Sequence, residues 1–135
     1  MAQAKSLIDE IKRDLNPVER EIRSHPYLAE LEAGRLARDT LRLFAGEQYH
    51  IIRSDLRSVA LLVNRFGATE SGPFFHAVLG GEAAALEALK TFASAVGFDE
   101  ARLKTYEPAA GAQGYPAFMA WLALYGSDAE VAASF

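Results

Sequence analysis

The chain has 135 residues, half of them hydrophobic, and a formal net charge of −4. That length holds one domain with a core of its own and not two, and the acidic balance excludes a global field that would draw in nucleic acid or anionic lipid. There is no cysteine, which removes disulfides, thiolate metal ligands and a cysteine nucleophile from this stretch and suits a reducing cytoplasm.

The opening, MAQAKSLIDEIKRDL, is charged throughout and lacks the apolar centre of a signal peptide. No apolar run is long enough to span a bilayer. A soluble, cytoplasmic protein without membrane or nucleic-acid partners is the expectation. Almost every segment carries helical rather than alternating periodicity, so the fold class is all-α, with residues 1–135 as a single helical domain.

A first amphipathic helix is predicted from Lys5 to Leu15, with Asn16-Pro17 breaking it and opening a second. His25-Pro26 is the next break, because the residue before proline is pushed out of helical geometry. A short helix over Tyr27–Glu32 closes near Gly34. The longest helix runs from Ala37 to Arg65 and ends at Gly67. Another spans Pro73–Val96, with proline in its first turn and Gly97 at its end. Glu107–Pro116 is a loop by its glycine and proline content, its glycines read as turns alone. A helix over Pro116–Tyr125 follows and stops at Gly126. Ser127-Asp128-Ala129-Glu130 is a capping box that announces one more short helix, with Val131 and Phe135 on one face.

Turning each helix at about 100° per residue shows which polar side chains fall where leucines should. The long helix has an apolar stripe of Leu41, Phe44, Ile52, Val59, Leu62 and Phe66, and Gln48 and Asp55 sit within it, two turns apart. The helix over 73–96 has a stripe of Phe75, Val78, Leu79, Leu86, Leu89 and Val96, with Glu82 at its centre. A buried carboxylate needs a partner, a metal, a raised pKa or a wet cavity. The alternatives are pairing with arginines across the bundle and one internal pocket that all three residues line.

Glu47 and His50 stand at i, i+3, the spacing that presents a carboxylate and an imidazole to one metal. His50 lies nearly opposite the stripe of its helix, so a solvated pair is the plainer reading. His76 lies beside a stripe, and His25 reads as a structural residue at a helix break. Phe118, Trp121, Leu122 and Tyr125 form an aromatic side on the last long helix, with Tyr115 just ahead. Such a stripe reads as core, with the tyrosine hydroxyls available to a polar cavity. Phosphate loops, nucleophile elbows and zinc spacings are missing from the sequence.

The segment HPYLAELEAGRLARDTLRLFAGEQYHI resembles the opening of the TenA/thiaminase-II family, in which a His-Pro start leads to a short helix, a glycine and a long helix with a polar-aromatic cluster. EAAALEALKTFASAVGF and GYPAFMAWLALYGSDAEVAASF are similar to the helices that follow there. The resemblance implies the N-terminal two-thirds of a heme-oxygenase-like bundle of the TenA/PqqC kind, cut short or completed by another chain, and a homo-oligomer.

The family's branches imply thiamin-pyrimidine hydrolysis, cofactor-free oxidation of a quinone precursor, or non-heme di-metal oxidation. The position of the hydrolases' substrate-holding aspartate is Gln48, an amide that hydrogen-bonds a heterocycle without a carboxylate's charge. Tyr115 matches a pocket tyrosine, and the family's nucleophilic cysteine and second acid would fall beyond Phe135. In the di-metal branch a histidine follows the glutamate by seven residues, and seven after Glu82 stands Leu89.

The leading expectation is a small planar heterocycle of the thiamin-pyrimidine or quinone-precursor type, bound and transformed in an internal pocket without a cofactor. Glu82 and Asp55 are its acid–base residues, and Gln48 and Tyr115 its substrate-binding residues. The alternatives are a di-metal oxidase with iron or manganese held by Glu47 and His50, and a non-catalytic interaction protein.

Overall fold

The computed structural model describes residues 2–135. Its helices are α1 (Ala2–Arg23), α2 (Pro26–Glu32), α3 (Arg38–Phe66), α4 (Gly72–Ala95), α5 (Glu100–Thr105), α6 (Gly114–Tyr125) and α7 (Asp128–Ala132), with a 3-10 turn over Ala110–Gln113. They form two compact units, one up to Ala37 and the other Arg38–Phe135. None of the described helices is long and apolar enough to cross a membrane.

In the first unit the expected break at Asn16-Pro17 does not occur, and Pro17 lies inside α1. A mid-helix proline removes one backbone bond and costs about 3 kcal/mol. The i, i+4 ion pairs brace the helix on either side, Lys5 with Asp9 at 2.6 Å and Arg23 with Glu19 at 2.8 Å. Leu7, Ile11, Leu15, Val18 and Ile22 keep one apolar register through the proline. The expected break at His25-Pro26 does occur, and there His25 Nδ1 accepts from the Tyr27 amide at 3.2 Å and caps α2.

In the second unit Arg42 Nε donates to the Val96 carbonyl at 2.8 Å, so the start of α3 lies beside the end of α4 and the two run antiparallel. Gly97, at φ 74°, closes α4 in a conformation that side chains beyond glycine adopt poorly. One core cluster joins Ala45, Tyr49 and Ile52 of α3 to Leu89 and Ala93 of α4 and to Leu103 of α5. A second joins Leu62, Phe75, Met119, Leu122, Ala123 and Val131, which brings α6 and α7 onto the α3–α4 pair. The Arg65 guanidinium donates to the carbonyls of Ala123 and Gly126 and so caps the end of α6. Both halves of the capping box at α7 are formed, the Glu130 amide donating to Ser127 Oγ at 3.3 Å and the Ser127 amide to Glu130 Oε2 at 2.8 Å.

Two faces differ from expectation. Phe44 is exposed and meets Phe92 edge-on at 6.0 Å, and the inner face of α3 begins instead with Ala45, Gly46 and Tyr49. Small residues win that face because another ring needs the space: a Cβ on Gly46 would stand 2.6 Å from two carbons of the Tyr106 ring. On α6 the aromatic side, Phe118, Trp121 and Tyr125, is exposed, and Pro116, Met119, Leu122 and Ala123 are buried. The sequence reading also missed α5, which starts at Asp99, whose side chain accepts from the Arg102 amide at 2.9 Å.

Candidate functional site

Between the two core clusters the inner face of α3 turns polar. Gln48, Ile51, Ile52 and Asp55 from α3, Glu82 and Ala85 from α4, Gly111 and Ala112 from the 3-10 turn, and Tyr115 from α6 line one cleft of about 500 Å³. The four residues singled out as catalytic or substrate-binding, Glu82, Asp55, Gln48 and Tyr115, are thus brought together. Helical spacing explains the α3 contribution, since residues 48, 51, 52 and 55 share one face over two turns. Ala85, Gly111 and Ala112 add only small side chains to the lining. These small residues escaped the sequence reading, and a polar stripe facing small residues was the available signal.

Asp55 is the most enclosed of the four, with 5 % of its surface exposed. Its Oδ1 is buried without a hydrogen-bond partner. Burial, and after it the neighbouring Glu82 charge, push its pKa up from 3.8 to about 6. The Tyr115 hydroxyl opposes that rise as a hydrogen-bonding neighbour, yet no bond of full geometry reaches Oδ1. Glu82 is half-buried, and burial raises its carboxyl as well. Tyr115 is 48 % exposed at the rim, its phenol held above the usual range by burial first and then by the charges of Asp55 and Glu82. Near neutral pH such a site offers a carboxyl able to take or give a proton, a second carboxylate beside it, and an amide with both donor and acceptor.

Glu47 and His50 are placed elsewhere. Glu47 Oε1 accepts from the Tyr106 hydroxyl at 2.7 Å and from the Ala109 amide at 3.0 Å. It thereby braces the segment that carries Gly111 and Ala112 to the cleft. His50 packs edge-on against Tyr49 at 5.4 Å. Glu47 Oε2 and His50 Nε2 are both buried without partners. Among the described residues no group of three His, Cys, Asp or Glu side chains stands close enough to hold a metal. Among the described residues, Glu47 and His50 are thus joined by no third ligand of the kind a metal centre needs.

Two larger clefts, of about 620 and 570 Å³, lie in the first unit. Their surface is mostly apolar, from Leu15, Val18, Ile22 and Leu28, with Glu21, His25 and Tyr27 also lining the first and Glu19 and Arg23 the second.

The fold and the cleft define a class: an all-helical bundle with an acid-lined cleft between its longest helices. The sequence matches the model of the TENA/THI-4/PQQC family over residues 12–135, and the chain belongs to that family, whose fold is the helical heme-oxygenase-like one. No curated protein and no solved structure gives a significant match.

Proposed function

We propose that this protein binds a small planar heterocycle in the α3–α4–α6 cleft and moves protons on it. The observation that carries this reading is the Asp55 carboxyl, buried and unpartnered at Oδ1, beside Glu82 in a cleft that Gln48 and Tyr115 also line. A buried polar group left without a partner costs about 1–3 kcal/mol, and a ligand donor at Oδ1 would recover it. In this reading the Gln48 amide orients the ring through its donor–acceptor pair. Asp55, with a pKa near 6, serves as the proton donor or acceptor, and Glu82 takes the complementary state. Tyr115 packs over the open side. Family membership supports the ligand class, because the resemblance implies aminopyrimidine or quinone-precursor chemistry.

The test is calorimetric titration with 4-amino-2-methylpyrimidine, on the wild type and on Ala112→Trp, whose indole fills the cleft. Binding by the wild type that Ala112→Trp loses is expected. Equal binding by both proteins would place the ligand elsewhere. The exposed Phe118, Trp121, Leu124 and Tyr125 of α6 support self-association as well, and light scattering behind size exclusion checks it. A monomer at 100 μM would refute that part.

A further inference from the structure

Residues 107–113 carry part of the cleft wall, through Gly111 and Ala112, yet little in them holds that wall in place. Ala109, Ala110, Gly111 and Ala112 are consecutive small residues with little apolar surface to bury, and the first three are exposed. Among the described residues, the one hydrogen bond that joins residues 107–112 to α3 runs from the Ala109 amide to Glu47 Oε1 at 3.0 Å. The anchor stands just ahead of the segment. The Tyr106 ring occupies the space left by Gly46, where a Cβ would stand 2.6 Å from two ring carbons, and it meets Phe98 edge-on at 6.1 Å. Its hydroxyl donates to the same Glu47 oxygen at 2.7 Å. One carboxylate oxygen therefore ties both the ring and the wall to α3. The closed wall is also incompletely satisfied. Five buried side-chain atoms lack a hydrogen-bond partner among the described residues, and four of them are Glu47 Oε2, His50 Nε2, Asp55 Oδ1 and Gln113 Nε2. These belong to the wall itself or to the α3 residues beside Tyr106 and the cleft. Each carries the penalty of a polar group taken from water and left unpaired. Lifting the wall admits water to them, so opening recovers bonds that closing forgoes.

We propose that residues 107–113 are a movable wall of the cleft, latched to α3 by Tyr106 and Glu47, and that these two act as positioning residues for whatever the cleft takes. They work through Gly111 and Ala112 rather than by touching a ligand. The inference rests on the reading of the cleft as the ligand site and adds how that site opens and closes. With the Tyr106 ring seated over Gly46, the wall stands against α3. With the ring withdrawn, the wall leaves α3 and a ligand enters or escapes. The far end of the segment stays fixed, because Pro116 and Met119 of α6 are buried. Motion is thereby confined to the stretch between Tyr106 and Gly114.

Native-state hydrogen exchange of the whole chain tests this. The reporters are the Ala109 amide and the Ala112 amide, which donates to the Ala109 carbonyl at 3.0 Å; the reference is the amide of Leu62, a fully buried core residue. Exchange at Ala109 and Ala112 is expected to be independent of urea at low concentration, the mark of a local opening, while exchange at Leu62 rises with urea. Tyr106→Phe, near-isosteric and checked for folding by circular dichroism, keeps the ring over Gly46 and leaves Glu47 in place as the acceptor of the Ala109 amide. It should still speed exchange at both reporters about tenfold, the factor that one hydrogen bond to a charged group carries. It should also raise both the association and the dissociation rate constants of 4-amino-2-methylpyrimidine, read from NMR line shapes, whereas a merely structural contact would move dissociation alone. Urea-dependent exchange matching that of Leu62, or reporters unmoved by Tyr106→Phe, would overturn the inference. So would an unchanged association rate constant. Absence of pyrimidine binding to the wild type, with the exchange results as expected, would instead remove the reading of the cleft as the ligand site and leave the movable wall standing.

Discussion

Asp55→Asn should make the protein more stable at neutral pH, and the gain should vanish in acid. The rise of the Asp55 carboxyl from 3.8 to about 6 means that the folded state binds its proton more tightly than the unfolded chain does. The stability this contributes is fully present below pH 3.8 and is lost as pH rises through 6. At pH 7.5 the wild type carries an ionised carboxylate in the cleft, at a cost of about 3 kcal/mol against its protonated form. Asparagine has nearly the shape of the protonated acid and does not ionise. Changes in bonding to Tyr115 contribute only about 1 kcal/mol, too little to reverse the sign. Asp55→Asn should therefore gain up to about 3 kcal/mol at pH 7.5, roughly 10 °C in Tm for a chain of this size. At pH 4 the two proteins should agree within about 1 kcal/mol. Urea denaturation of both from pH 4 to pH 8 reads the gap directly. A gap independent of pH, or a less stable variant at pH 7.5, would show that the carboxylate is paired in the native state and would refute the reasoning.

Other perturbations test the brace behind the cleft. Glu47→Ala removes the acceptor of both the Tyr106 hydroxyl and the Ala109 amide. It should cost about 2 kcal/mol and speed hydrogen exchange at Ala109, whereas Glu47→Gln keeps an acceptor oxygen and should recover much of the loss. Gly46→Ala drives a methyl into the Tyr106 ring and should destabilise by about 1–3 kcal/mol, measured by thermal unfolding. Ser127→Ala breaks the capping box of α7 and should cost about 1 kcal/mol, with the exchange of the Glu130 amide rising first.

Much of this structure is local and could be read from the chain. The two long helices and the box at α7 follow from apolar periodicity, Pro73, Gly97 and the Ser127–Glu130 spacing. Gln48, Asp55 and Glu82 were visible as polar residues at helical positions otherwise filled by leucine and phenylalanine, and Tyr115 through resemblance. Other features depend on partners distant in sequence. The course of the 107–113 segment is fixed by Glu47, 59 residues before Tyr106 and 62 before Ala109, so the place of Gly111 and Ala112 at the cleft is invisible locally. The buried side of α6 is chosen by Leu62 and Phe75, against the pull of its own aromatic stripe. Pro17 outweighed, in the sequence reading, an apolar register that runs straight through it.

The most direct test of the central claim, that the α3–α4–α6 cleft is the ligand site, is an amide chemical-shift map during titration with 4-amino-2-methylpyrimidine. Saturable shifts confined to residues around Gln48, Asp55, Glu82, Ala112 and Tyr115 are the predicted result. Shifts centred instead on Val18, Ile22 and Leu28, beside the larger apolar cleft of the first unit, would contradict it.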